Sequence, residues 1–69
     1  MGNNMVWVSV KDALPKKYDI VITARPAKNP SGWTIEQGIL KDNGYWKVFG
    51  TSTKAVTHWM PLPPPPEVG

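Results

Sequence analysis

The chain has no cysteine, a single histidine (His58) and a single phenylalanine (Phe49). Without cysteine there is no disulfide scaffold and no zinc site built on thiolates, a usage that suits a reducing compartment. One histidine beside five scattered acidic residues offers no recognisable spacing for the four ligands that zinc takes, so no metal and no cofactor is expected. No apolar run approaches the roughly 20 residues of a membrane span. The opening "MGNNMVWVSV" has neither a basic leader nor a long apolar segment. The expectation is a soluble, cytoplasmic protein with no membrane partner. A Gly-rich phosphate loop is also missing. Gly32, Gly38, Gly44 and Gly50 fall every six residues, a spacing that punctuates hairpins and does not lead a strand into a helix.

In 69 residues there is room for one domain, and a chain this short buries only about 60% of the surface its unfolded form exposes. Domains of this size usually lean on disulfides, a metal or a partner subunit. What remains here is a wealth of rings (Trp7, Trp33, Trp46, Trp59, Tyr18, Tyr45 and Phe49) together with self-association. A thin core and unpaired strand edges predict a homo-oligomer. The net charge of +3 comes from eight basic residues spread along the chain, only Lys16 and Lys17 being adjacent. Such a mild excess leans toward anionic partners, nucleotides and nucleic acid among them.

Helical periodicity is absent, and Pro15, Pro26, Pro30 and Pro61 interrupt the chain, so the fold class read from the sequence is all-β. The expected architecture is a small twisted antiparallel sheet or open barrel of three to four strands. An N-terminal arm and a Pro-rich C-terminal tail are expected to pack across it. Residues 1–4 read as a disordered N-terminus, 5–63 as one small β domain and 64–69 as the tail. "MVWVSV" (5–10) alternates as a short strand or extended edge, and "YDIVITARP" (18–26) is a strand that Pro26 ends. In "GWTIEQGILKDNGYWKVFG" (32–50), Asn43-Gly44 reads as a two-residue type I′ turn. That turn sets Lys41 opposite Trp46, Ile39 opposite Val48 and Gly38 opposite Phe49. It makes Trp33, Ile35, Ile39, Trp46 and Val48 the core face. A last strand is expected over 55–60.

His58 lacks any serine, aspartate or paired-carboxylate pattern that acid–base work would need, so no enzyme activity is expected. It reads first as a structural or interface side chain and second as a ligand contact. The tail "PLPPPP" is polyproline II by composition. Packing on the protein's own tryptophans is the favoured reading, with an SH3- or WW-type partner and a passive tail as the others. Rings interleaved with Arg25, Lys41, Lys47 and Lys54 resemble a base-stacking platform, although a cysteine-free small domain needs rings for its core in any case. The loop before Trp33 and the hairpin around Lys41 to Tyr45 form the expected binding surface, since loops on a stiff scaffold carry function. The candidate binding residues are therefore Arg25, Lys28, Trp33, Lys41, Tyr45 and His58.

The ends of the chain carry a more specific signal. "WVSVKDALP" supplies Trp7, Ser9, Val10, Leu14 and Pro15, and "VTHWMPLPPPP" supplies Thr57, His58, Trp59, Met60, Pro61, Leu62 and Pro63. In that order they resemble a small family of unknown function encoded mainly by tailed phages and prophages. The resemblance brackets nearly the whole chain and brings no catalytic residues. It implies a phage-related accessory protein inside a bacterial host cell. Members commonly carry acidic residues where this chain has Lys16-Lys17. The expected function is a non-enzymatic binding module that modulates a host factor, such as a defence component, through protein contact or capture of a small anionic, nucleotide-like ligand. Single-stranded nucleic-acid binding and a role in phage structure or assembly are the alternatives. Physically, the apolar ends Trp7-Leu14-Pro15 and Trp59 to Pro63 are expected to clasp one another.

Overall fold

The structure, a computed structural model, describes residues 6–66. The expected disordered segment 1–4 and the last three tail residues, 67–69, lie outside the described residues. Six strands are present: β1 (Val8–Ser9), β2 (Val21–Pro26), β3 (Trp33–Leu40), β4 (Trp46–Val48), β5 (Thr51–Thr53) and β6 (His58–Pro61). They form one open sheet in the order β1-β6-β2-β3-β4-β5 with every neighbouring pair antiparallel. The fold is all-β, as the pattern predicts, but with six strands in place of three or four. The surplus is β5, whose three residues are too few to show an alternation, together with β1, the short strand or extended edge that "MVWVSV" suggests. Among the described residues there is no helix, hence none long and apolar enough to cross a membrane.

Side chains of directly paired residues share a face of an antiparallel sheet, so the register separates two faces. Val21, Thr23, Gly38, Leu40, Trp46, Val48 and Trp59 lie on one of them. This is the covered face. Val21, Leu40, Trp46, Val48 and Val56 form its buried cluster, with Val10 and Trp59 packed against it. The opposite face carries Ile22, Ala24, Trp33, Ile35, Ile39, His58 and Met60.

This division corrects the predicted core face, and the cause is the hairpin. Leu40 pairs with Trp46 and Gly38 with Val48, one residue away from the expected register. The Lys41 amide donates to the Tyr45 carbonyl at 2.9 Å and the Gly44 amide to the Lys41 carbonyl at 3.2 Å, leaving three residues in the loop. A type I′ turn needs positive φ at both central residues. Gly44 has φ 85, whereas Asn43 is not left-handed. Asn43 Oδ1 accepts instead from the Tyr45 amide at 3.1 Å. A one-residue slip moves a whole strand's side chains to the other face, which is why Trp46 and Val48 join Leu40 and leave Ile35 and Ile39 outside.

Gly38 occupies the most crowded point of the covered face. A Cβ there would lie 2.9 Å from Val48 Cγ1 and 3.0 Å from both Thr23 Cγ2 and the Lys47 carbonyl oxygen. Thr23 is fully buried, and its hydroxyl donates to the Glu36 carbonyl at 2.8 Å. The residue opposite Gly38 is Val48 and not Phe49.

β6 contains a bulge. The Thr57 amide donates to the Ala24 carbonyl at 3.0 Å while His58 is the register partner of Ala24, so two residues oppose one. The extra residue lets Val56 and Trp59 both serve the core, while His58, paired with Ala24, faces the open side. β6 also binds the two ends of the chain together, since β1 pairs with it through Val8–Trp59 and Ser9–His58. Pro15 is buried and lines a hollow with Trp59, Pro61 and Leu62. The N-terminal arm is thus an edge strand and the end motifs do meet. Pro61 belongs to β6, opposite Val21, while residues 62–66 form no strand and are exposed. The expected packing of the tail across the sheet is not seen in them.

Candidate functional site

The open face holds a hollow of about 260 Å³ lined by Trp7, Ala24, Trp33, Ile35 and His58. Antiparallel sheets with one solvated face normally alternate polar residues onto it. Here that face presents Ile35, 58% exposed, and Trp33, 39% exposed.

Trp33 is held by the turn before it. Asn29 Oδ1 accepts from the Ser31 amide at 3.1 Å, the Ser31 hydroxyl at 2.8 Å and the Gly32 amide at 3.0 Å. Asn29 Nδ2 donates to the Trp33 carbonyl at 3.0 Å. Gly32 takes φ 82, a conformation glycine reaches without steric penalty. The loop expected to carry binding is a tied turn that fixes where Trp33 begins β3.

His58 reaches the hollow from the first position of β6, opposite Ala24. Its Nδ1 lies 2.8 Å from Thr57 Oγ1, itself 3.4 Å from the Ala24 carbonyl oxygen. Its ring stands edge-on to Trp33, centroids 5.8 Å apart at 79°, a favourable T-shaped arrangement. Nε2 has no hydrogen-bond partner among the described residues, and no buried side-chain polar atom there is left unpaired, so Nε2 reaches solvent. No carboxylate hydrogen-bonds His58 among the described residues, nor do three or more His, Asp or Glu side chains gather there as metal ligands would.

The six predicted binding residues fall in separate places. Trp33 and His58 are brought together. Arg25 lies on the covered face, paired with Glu36 at 2.5 Å, and Lys28 is exposed in the tied turn. Lys41 and Tyr45 close the β3–β4 hairpin away from the hollow. Lys41 Nζ donates to Ser52 Oγ at 3.3 Å. Lys54 Nζ sits 4.9 Å over the Tyr45 ring, a cation–π contact. A second hollow, of about 400 Å³, is lined at this end by Lys17, Lys41, Lys54 and Asp42 above apolar side chains including Trp46 and Val56.

Sequence reasoning missed Trp7, Ala24 and Ile35 as lining residues. Trp7 shares its alternation with Ser9, the partner of His58, and that signal was present in the sequence. Ile35 was placed in the core by the slipped register. Of the other signature residues, Leu14, Leu62 and Pro63 are exposed, and Met60 is half-buried on the open face.

A family model described as a protein of unknown function (DUF551) matches residues 6–67, a span that encloses both end motifs. The chain belongs to the DUF551 family. No curated protein and no solved structure matches it. In this DUF551 chain the clasp between the ends and the hollow on the open face share β6: Trp59 points into the core, while His58 beside it points outward.

Proposed function

We propose that the chain is a non-enzymatic binding module of a phage-related protein, working in the bacterial cytoplasm, that docks on a host protein through the open face of its sheet. The observation that carries this reading is the convergence of Trp7, Trp33, Ile35 and His58 around one hollow on a face that nothing in the described chain covers. Contiguous exposed apolar surface of this kind marks interaction sites. Buried rings are the usual anchors of such interfaces. The lining includes no lysine or arginine, which favours a protein's apolar side chains over a small anion at this hollow. A host defence component is the class of target proposed.

The test is site-specific photo-crosslinking in bacterial cells. A photoreactive residue at Ile35 is expected to trap one defined host protein, with trapping lost on Trp7→Ala, whereas the same probe at Asp19 traps none. Equal trapping from both positions, or none from Ile35, rejects the reading.

A small anionic, nucleotide-like ligand has a separate place to bind. Lys17, Lys41 and Lys54 surround the second hollow, and the one ion pair among the described residues is Arg25–Glu36. Calorimetric titration with a nucleoside triphosphate at low salt checks this second reading, which fails if Lys54→Ala leaves the heat of binding unchanged.

A further inference from the structure

The chain carries both an aromatic-lined hollow and a polyproline segment, and the topology keeps the two apart within one molecule. β6 enters at His58, which lines the hollow, and leaves at Pro61, opposite Val21. Three residues of strand carry the chain about 10 Å away. Leu62, next in the chain, lines a hollow with Pro15, Ile20 and Trp59 at that far end of the strand.

Returning would require a reversal within residues 62–66. Leu62, Pro63, Pro64 and Pro65 each precede a proline, and a residue before proline is disfavoured in the α region that common turns use. No glycine is present there to supply positive φ. By composition the segment is a stiff polyproline II rod of about 3.1 Å per residue, and it continues from the end of β6 that lies away from the hollow. It is exposed along residues 62–66.

We infer that the proline segment of one copy docks in the hollow of a second copy. Polyproline helices bind between aromatic side chains at low entropic cost because they are already ordered. Trp7 and Trp33, with the His58 ring edge-on to Trp33, supply such walls, and the solvent-facing Nε2 supplies a polar group for a tail carbonyl. Two copies exchanging tails make a two-fold, isologous dimer in which each tail lies in the other copy's hollow. This rests on the hollow being a docking site, and it names a second copy of the chain as an occupant. A tail seated there competes with a host protein for the same surface.

The experiment uses the full chain with Pro63, Pro64, Pro65 and Pro66 changed to serine, titrated with a synthetic peptide of sequence PLPPPPEVG and followed by the indole N–H resonances. The expected result is movement of the Trp7 and Trp33 signals alone. Trp46 is buried and Trp59 Nε1 donates to the Ala13 carbonyl at 2.9 Å, so both serve as internal controls. Light scattering is expected to show the natural chain self-associating with concentration. The serine variant and Trp33→Ala should each weaken that association by about tenfold or more, the scale of losing an aromatic anchor. Unmoved Trp7 and Trp33 signals, or a natural chain that stays monomeric at concentrations where the peptide saturates the variant, overturns the inference. Either result leaves the cross-link from Ile35 to a host protein intact, so the two readings fail separately.

Discussion

The indole N–H of Trp59 donates to the carbonyl oxygen of Ala13 at 2.9 Å, joining residues 46 apart in sequence. The bond fastens the segment between β1 and β2 to the last strand, whose ring packs against the core. Trp59→Phe keeps an aromatic ring and removes the donor. An intramolecular hydrogen bond contributes about 0.5–1.5 kcal/mol net, so a loss of that order is expected, before any cost of the smaller ring. Urea unfolding should show a lower midpoint with an unchanged slope. A midpoint equal to that of the natural chain would mean the clasp rests on β1–β6 pairing alone.

Gly38 and Gly44 are both required, for opposite reasons. At Gly38 a Cβ meets Val48, Thr23 and the Lys47 carbonyl within 3.0 Å, and overpacking of a filled core costs about 1–3 kcal/mol. At Gly44 nothing lies within 4 Å, but φ is 85, and an L-residue forced into that region costs about 1 kcal/mol. Alanine should destabilise at both positions. Chemical synthesis isolates the cause at 44, where D-alanine, which favours positive φ, is expected to be tolerated. Tolerance of L-alanine at 38 would show that the strands spread to admit the methyl group.

The Lys54–Tyr45 contact is a weak one. Its ammonium lies 4.9 Å from the ring centroid, and both residues are exposed, where a cation–π pair contributes about 0.5–1 kcal/mol. Lys54→Met should therefore lower stability by no more than that. A larger loss by urea unfolding would indicate that the lysine stem also packs over the second hollow.

What could be read from the sequence was decided by element length. β2 and β3, with six and eight residues, alternate long enough to be recognised, and Pro26 ends β2 as its chemistry requires. β5 is too short to have a period, and β1 is two residues within the longer alternating run 5–10. The hairpin was located correctly and misregistered, because Asn43-Gly44 suits a type I′ turn and also a three-residue loop with glycine in the left-handed position. Only the cross-strand packing of Trp46 and Val48 on Leu40 distinguishes them. The slipped register placed Trp33 and Ile35 alike in the core; only the loop before Trp33 marked it as a binding candidate, and Ile35 had no such signal. The bulge at Thr57 and His58 left no sequence signal, since no glycine marks it. Neither did the left-handed Tyr18, φ 69, whose hydroxyl donates to Asp42 Oδ2 at 2.9 Å.

Ile35 and Leu40 share β3 and bring the register and the open face to one test. Leu40 is buried beside Trp46 and Val48, while Ile35 is 58% exposed. Leu40→Ala should cost about 2–5 kcal/mol, the range for truncating a core leucine. Ile35→Thr retains β-branching on an exposed position and should change stability by no more than about 0.5 kcal/mol. The type I′ register would reverse these effects, burying Ile35 and exposing Leu40, so urea midpoints of the two variants discriminate between them. The same Ile35→Thr protein should lose binding of an environment-sensitive apolar dye while keeping its midpoint. A dye signal that survives would place the accessible apolar surface elsewhere, with Phe49, 87% exposed at the β4–β5 turn, the next position to change.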